Sequence, residues 1–176
     1  KERALEINPE IAVEERRCFY LPDTAGEFDF TQYDYVVDAV DTVTAKLSLV
    51  EAAQEAGVPI ISCMGAGNKL NPGAFEITDI YKTSVCPLAK VMRRELKQRG
   101  IKHLKVLYSK EEAIKPQVVQ GNANESEEIS EEATNGNAVD ITQNTRRRAT
   151  PGSVAFVPSV AGLMIAGEVI RDLIEA

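Results

Sequence analysis

Short β-branched runs alternate along this chain with longer stretches of helical periodicity. Lys1 to Ile7 reads as the tail of a helix that Asn8-Pro9 terminates. The run Ile11 to Tyr20 suits a strand, and Leu21 to Gln32 a loop. A β-α-β unit follows. Its first strand covers Tyr33 to Ala39, its helix Thr42 to Ala56 with Gly57 as the stop, and its second strand Val58 to Met64. Leu47 and Val50 alternate with Glu51 and Gln54, the mixed faces of a helix laid on a sheet. Val/Ile-rich strands of this kind are covered on both faces in parallel sheets, and the crossover between them is right-handed.

Beyond Met64 comes a glycine-rich turn, Gly65 to Gly73. The pattern then predicts a strand over Phe75 to Lys82, a helix over Pro87 to Arg99 stopped by Gly100, and a short strand over Leu104 to Tyr108. Val85, Leu88, Met92 and Leu96 follow helical spacing and form the apolar stripe of this segment. Ser153 to Val157 reads as a last strand and Ser159 to Ile174 as a last helix, whose Ala161, Gly162, Ala166 and Gly167 permit close packing. The sum is one domain: an α/β, Rossmann-like, doubly wound and mostly parallel sheet.

One stretch breaks the pattern. Gln120 to Thr145 holds six acidic residues, no basic ones and almost no large apolar side chain. It buries too little to offset its ordering entropy and reads as a flexible acidic insertion. Arg146, Arg147 and Arg148 follow it.

Composition narrows the class. With 44% hydrophobic and 27% charged residues, this is an ordinary globular chain, and no apolar run reaches the ~20 residues that span a bilayer. Three scattered cysteines, Cys18, Cys63 and Cys86, include no C-x-x-C pair. That argues against structural zinc and fits a reducing, cytoplasmic setting. Cys18 and Cys63 fall in expected strands and read as core.

The net charge of −7 speaks against nucleic acid, but its distribution does not. Lys82 to Lys110 carries nine basic residues against one acidic, Glu95, a local charge of +8. On the helix within it, Lys90, Arg93, Arg94 and Lys97 lie off the apolar stripe, placed to meet a phosphate backbone or simply solvent.

Two other positions carry candidate chemistry. Asp41 sits where the first strand of the β-α-β unit runs into its helix. Nucleotides bind at the carboxyl ends of strands in such folds. A carboxylate beside a helix N-terminus is compatible with phosphate if a divalent cation bridges the two, so Asp41 is a candidate Mg²⁺-nucleotide ligand. The plainer alternative is an N-cap. Cys86 precedes Pro87 at a helix start near Lys82 and Lys90. Such a place lowers a thiol pKa, which makes it the candidate reactive cysteine beside the alternative of an inert thiol.

Several blocks, taken in order, carry a resemblance. They are Ile7-Asn8-Pro9, then Val37-Asp38-Ala39-Val40-Asp41, then Ile61-Ser62-Cys63-Met64-Gly65-Ala66-Gly67-Asn68-Lys69. They resemble the ThiF/MoeB/HesA superfamily. Asp79 to Thr83, Pro87-Leu88-Ala89, Arg93 to Leu96 and Pro151 to Gly162 resemble its tRNA threonylcarbamoyladenosine dehydratase branch.

The resemblance implies an enzyme that uses ATP and Mg²⁺ to activate the carboxylate of threonylcarbamoyladenosine in tRNA and then cyclises it. It implies Asp41 at the ATP-Mg²⁺ site, with Asp38 and Lys46 as further cofactor-binding candidates. It also implies a homodimer, with a cysteine desulfurase or sulfur acceptor as a possible sulfur-transfer partner. The family's glycine-rich nucleotide motif is not found after Lys1, so the expectation is a domain lacking its N-terminal nucleotide-binding β-α portion, inactive alone. The alternatives are an adenylyltransferase for a sulfur-carrier protein, a non-catalytic scaffold on the same fold, and an NAD-dependent oxidoreductase.

Overall fold

The structure is a computed structural model that describes residues 1–115 and 152–175. A short helix α1 (Glu2–Ile7) leads through irregular chain to β1 (Val36–Asp38), α2 (Val43–Ala56) and β2 (Ile60–Cys63). Then follow β3 (Phe75–Asp79), α3 (Pro87–Gln98), β4 (Lys105–Ser109) and α4 (Phe156–Glu175). The sheet order is β1-β2-β4-β3. β1 pairs parallel with β2 and β2 with β4, while β3 runs antiparallel to β4. The mostly parallel α/β sheet expected from the pattern is thus present.

Alternation along β4 divides the core into two. Val106 and Tyr108 pack with Leu47, Val50, Met92 and Leu96 from α2 and α3. Leu107 points the other way and packs with Ile61, Phe75 and, from α4, Val157, Ala161 and Ile165. Helices therefore cover both faces of the sheet. α2 and α3 end as their glycines dictate, with Gly57 and Gly100 at φ 70° and 73°, a conformation that costs other residues strain.

β1 is the outer strand among the described residues, and it is covered on one face only. Val36 and Asp38 are buried, but Val37 between them is 48% exposed. The α4 side of β1 thus stays open, and that opening becomes one wall of the cleft described below.

Three expectations fail here. Ile11 to Tyr20 forms no strand and is mostly exposed, Cys18 included. Its centre, Glu14-Glu15-Arg16-Arg17, puts charge on both sides of any pleat, so no apolar face exists to bury. These charges pair with each other instead, Arg16 with Glu14 at 2.6 Å and Arg17 with Glu15 at 3.4 Å.

Ser153 to Val157 is no strand either, because α4 already begins at Phe156. Val157, Ala161 and Ile165 are spaced by four and all face the sheet, while Pro158 lies in the first helical turn, where its missing N–H costs nothing. Finally, the buried stripe of α3 is Ala89, Met92 and Leu96. Val85 lies outside the helix, 52% exposed and at φ 58°. A β-branched residue there is strained. The expected acidic insertion, 120–145, and Arg146 to Arg148 lie outside the described residues.

α4 is locked to the sheet by ions as well as by packing. Lys105 Nζ on β4 donates to Glu168 Oε1 (2.9 Å) and to Asp172 Oδ1 and Oδ2 (2.7 and 2.6 Å). Tyr35 Oη donates to Asp172 Oδ2 at 2.7 Å. Lys105, with Tyr35 behind it, holds the Asp172 carboxyl below its ordinary range, and Lys105 with Arg171 does the same for Glu168. Burial, reinforced by Asp172, pushes the Tyr35 hydroxyl upward.

Two carboxylates with depressed folded-state pKa values stabilise the fold above their ordinary value of about 4, and that contribution disappears as pH falls through the lower folded-state values. K105M should therefore flatten the acid limb of stability. Its urea midpoint should fall below that of wild type at pH 7, and the two should converge in acid. Parallel curves at every pH would contradict this role.

Candidate functional site

A cleft of about 900 Å³ opens beside the carboxyl ends of β1 and β2. One wall carries Val37, Ala39, Val40 and Asp41, and another Cys63, Met64 and the turn Gly65-Ala66-Gly67. The third comes from far along the chain, with Gly152 and Ser153 ahead of α4 and then Pro158, Ala161 and Ile165 on it. Its size lies within the range of small-ligand sites, and its lining is mostly apolar with a few polar groups at the strand ends.

The base of the cleft is a buried charge cluster. Asp38, the last residue of β1, and Lys46, in the first turns of α2, are 0% and 1% exposed. Lys46 Nζ donates to Asp38 Oδ1 (3.1 Å), Asp38 Oδ2 (3.0 Å) and the Cys63 carbonyl (2.7 Å). Ser62 Oγ donates to Asp38 Oδ2, and the Val40 amide to Asp38 Oδ1 at 3.1 Å.

A buried charge is tolerated only when paired and hydrogen-bonded, and both conditions are met here. This geometry redirects the sequence reading of two residues. Asp38 and Lys46, expected as cofactor ligands, are occupied with each other and with the backbone. In the structure they hold the ends of β1 and β2 together at the base of the cleft, which Lys46 lines. Ser62, which the sequence reading left out, belongs to the same cluster; as a polar residue inside an Ile-rich buried strand it was the available signal.

Asp41 lies three residues further on, exposed and on the cleft wall. The N-cap of α2 is Thr42, so Asp41 stands outside the helix and caps no amide. Lys46 also lines the cleft, but its ammonium is engaged with Asp38 and the Cys63 carbonyl; Asp41 is the exposed carboxylate on the wall. No group of three or more His, Cys, Asp or Glu residues able to hold a metal ion exists among the described residues.

Cys86 is corrected from a reactive to a packed thiol. It is 5% exposed and sits in the core with Leu47, Met64, Ala89 and Met92. Cys63 is the cysteine on the cleft wall, but burial, partly opposed by Lys46, pushes its thiol upward, away from the thiolate.

On α3 the basic residues separate into two groups. Arg93 Nη1 donates to the Thr83 carbonyl at 3.0 Å and to the Thr83 hydroxyl, and is partly buried. Arg94 is exposed and pairs with Glu95 at 2.9 Å. Lys90 and Lys97 project into solvent. Lys90, Arg94 and Lys97 thus present one basic surface, while Arg93 braces the chain leading into α3.

The buried pair makes a stability prediction. K46M leaves the Asp38 charge unpaired in the interior and should cost about 3–5 kcal/mol, whereas D38N/K46M should cost clearly less than the sum of the two single changes. Urea unfolding of the four proteins measures this, and strict additivity would mean the pair is not coupled.

Comparison with known proteins agrees with the geometry. The ThiF family model matches residues 1–176. The tRNA threonylcarbamoyladenosine dehydratase of Bacillus subtilis (strain 168) is 39% identical over 176 residues, covering 99% of this chain and 64% of that protein. The enzyme of the same name from Escherichia coli (strain K12) is 35% identical over 96 residues, or 54% of this chain and 36% of its own length. Among solved structures, the E. coli tRNA N6-threonylcarbamoyladenosine dehydratase in complex with AMP superposes with a TM-score of 0.61 at 31% identity, covering 68% of this chain and 52% of that one. The corresponding ATP complex gives 0.60 at 31% identity, covering 65% and 51%. This chain therefore spans about two thirds or less of the proteins it resembles. By sequence and by fold, it belongs to the ThiF family.

Proposed function

We propose that this chain is part of an ATP-dependent tRNA threonylcarbamoyladenosine dehydratase. The observation that carries the reading is Asp41, an exposed carboxylate beyond the carboxyl end of a parallel strand, with no partner among the described residues, on the wall of a largely apolar cleft, in a chain 39% identical to a protein of that name. The AMP and ATP complexes of the related E. coli dehydratase support a nucleotide as a ligand.

The chemistry runs in two steps. A carboxylate oxygen of the modified nucleoside attacks the α-phosphorus of ATP, the bond to the β-phosphate breaks, and pyrophosphate leaves. A nucleophile of the same nucleoside then attacks the activated acyl carbon, closes the ring and expels AMP, which carries away the former carboxylate oxygen. Neither step needs a protein nucleophile, in keeping with a buried Cys86. What the chain supplies is position and exclusion of water. Val37, Val40 and Ile165 keep the cleft apolar, and the Asp38–Lys46 pair fixes the strand ends that bear Asp41 and Gly65.

Mg²⁺ fits this donor set in one way: bound through one carboxylate together with the phosphates of the nucleotide, as this ion commonly is. Asp41 is the residue that would hold it, and the ion would neutralise charge on the phosphates. The exposed Lys90, Arg94 and Lys97 suit the backbone of the tRNA. A cytoplasmic setting, a homodimer and a cysteine desulfurase or sulfur acceptor belong to the same reading as proposals. Among the described residues no helix is long and apolar enough to cross a membrane.

Two measurements test it, both on the full-length protein. D41N should lower tRNA-dependent ATP turnover by about 10²-fold or more, the scale of losing a group that stabilises transferring phosphoryl charge, with folding unchanged. Turnover equal to wild type would remove Asp41 from the site. K90E/R94E/K97E should weaken tRNA affinity and make it less salt-dependent, with a slope reduced by up to about three. An unchanged slope would place the tRNA elsewhere.

A further inference from the structure

Asn68 is the residue of the glycine-rich turn that bonds to the chain ahead of α4, and nothing in the chemistry above uses it. It sits at φ 56°, a left-handed conformation that asparagine tolerates better than most residues. Its backbone amide donates to the Gly152 carbonyl at 2.7 Å, and its side-chain Oδ1 accepts from the Gly152 amide, also at 2.7 Å. One residue thereby satisfies both backbone polar groups of another that lies 84 positions away. The Asn68 carbonyl accepts a third bond, from the Ile114 amide at 2.7 Å.

The next residues are held from the same side. Lys69 Nζ donates to the Glu111 carbonyl, and the Leu70 and Asn71 amides donate to Glu111 Oε1 and Oε2 at 2.9 and 3.0 Å. The Leu70 and Asn71 amides hold the Glu111 carboxyl below its ordinary range.

The position of this clasp gives it meaning. Gly65, Ala66 and Gly67 line one wall of the cleft, while Gly152 and Ser153 line another. Asn68 joins the two directly. Asp41 stands on a different wall, tied to β1 and α2, and its placement does not depend on Asn68. The clasp therefore governs one side of the cleft and leaves the other alone.

We propose that Asn68 is a positioning residue that sets the spacing of the Gly65–Gly67 and Gly152–Ser153 walls, and that these walls receive the carboxylate-bearing end of the tRNA nucleoside, opposite the nucleotide held at Asp41. The proposal deepens the dehydratase reading and rests on it. In that reading both reactants share one cleft, Asp41 takes the nucleotide side, and the clasped corner is the remaining wall with backbone polar groups. Ala161 and Gly162, which line the same part of the cleft, leave room there for a substituent.

The test compares full-length wild type, N68G and N68D. Glycine keeps the left-handed backbone without strain but removes Oδ1. Gly152 is exposed, so its released amide finds water and the fold persists. Aspartate restores an acceptor at the same place. The expected result is a rise of about tenfold in KM for threonylcarbamoyladenosine-containing tRNA in N68G, the weight of ~1.4 kcal/mol, with KM for ATP within about twofold of wild type.

N68D should recover most of the loss, and the melting temperatures should stay close together. Equal rises in both KM values, or a fall in kcat alone that follows a lowered melting temperature, would reduce Asn68 to a structural residue and overturn the proposal. An unchanged KM for tRNA would overturn it as well. Wild type lacking tRNA-dependent ATP turnover would be a different failure: it removes the dehydratase reading itself, and this proposal with it.

Discussion

Asp38 and Lys46 share a site from which water is excluded, and the geometry of the cleft depends on their staying paired. Removing two charges from water costs several kcal/mol per ion, and attraction alone does not return it. The cost is offset because every strong acceptor around the ammonium is used. Asp38 presents both oxygens, Cys63 its carbonyl, and Ser62 and the Val40 amide satisfy the remaining carboxylate capacity. The pair consequently ties together β1, β2 and α2 at the level where the strands end. Asp41 and the glycine-rich turn both begin within a few residues of it, so their relative placement is inherited from a salt bridge that is itself buried.

The opposite side of the cleft is organised by different means. α4 reaches the sheet through Val157, Ala161 and Ile165, and Lys105 anchors its far end by gripping Glu168 and Asp172. Its near end is held through Gly152 by Asn68. The buried pair sets the strand ends and the start of the glycine-rich turn, and Asn68 in that turn ties the α4 side to it. That suits chemistry in which two reactants must meet in line and no side chain needs to form a bond with either.

The basic helix shows how charge density on paper separates into distinct jobs in space. Arg93 and Arg99 are absorbed by structure, the first at Thr83 and the second at Glu95 and Glu51. Lys90, Arg94 and Lys97 remain on the outside. A local charge of +8 marks the segment as interesting, but helical spacing alone assigned Arg93 to the outer face. Its true partner, Thr83, lies in the irregular chain before the helix, which periodicity does not describe.

Much of this protein is legible in its residue order, because the signals there are local. The β-α-β unit, the stops at Gly57 and Gly100, the strands around Val106 and Phe75 and the mostly parallel sheet follow from apolar period and turn chemistry, which act over a few residues. So does the place of Asp41 between a strand and its helix. The rest required the folded chain. Burial of Cys86, the mutual pairing of Asp38 with Lys46 and the capture of Gly152 by Asn68 are contacts between segments 8 to 84 residues apart. A side chain's neighbours at that range are set by how sheets and helices stack, so the same lysine or asparagine reads alike as a ligand or as a brace until the packing chooses.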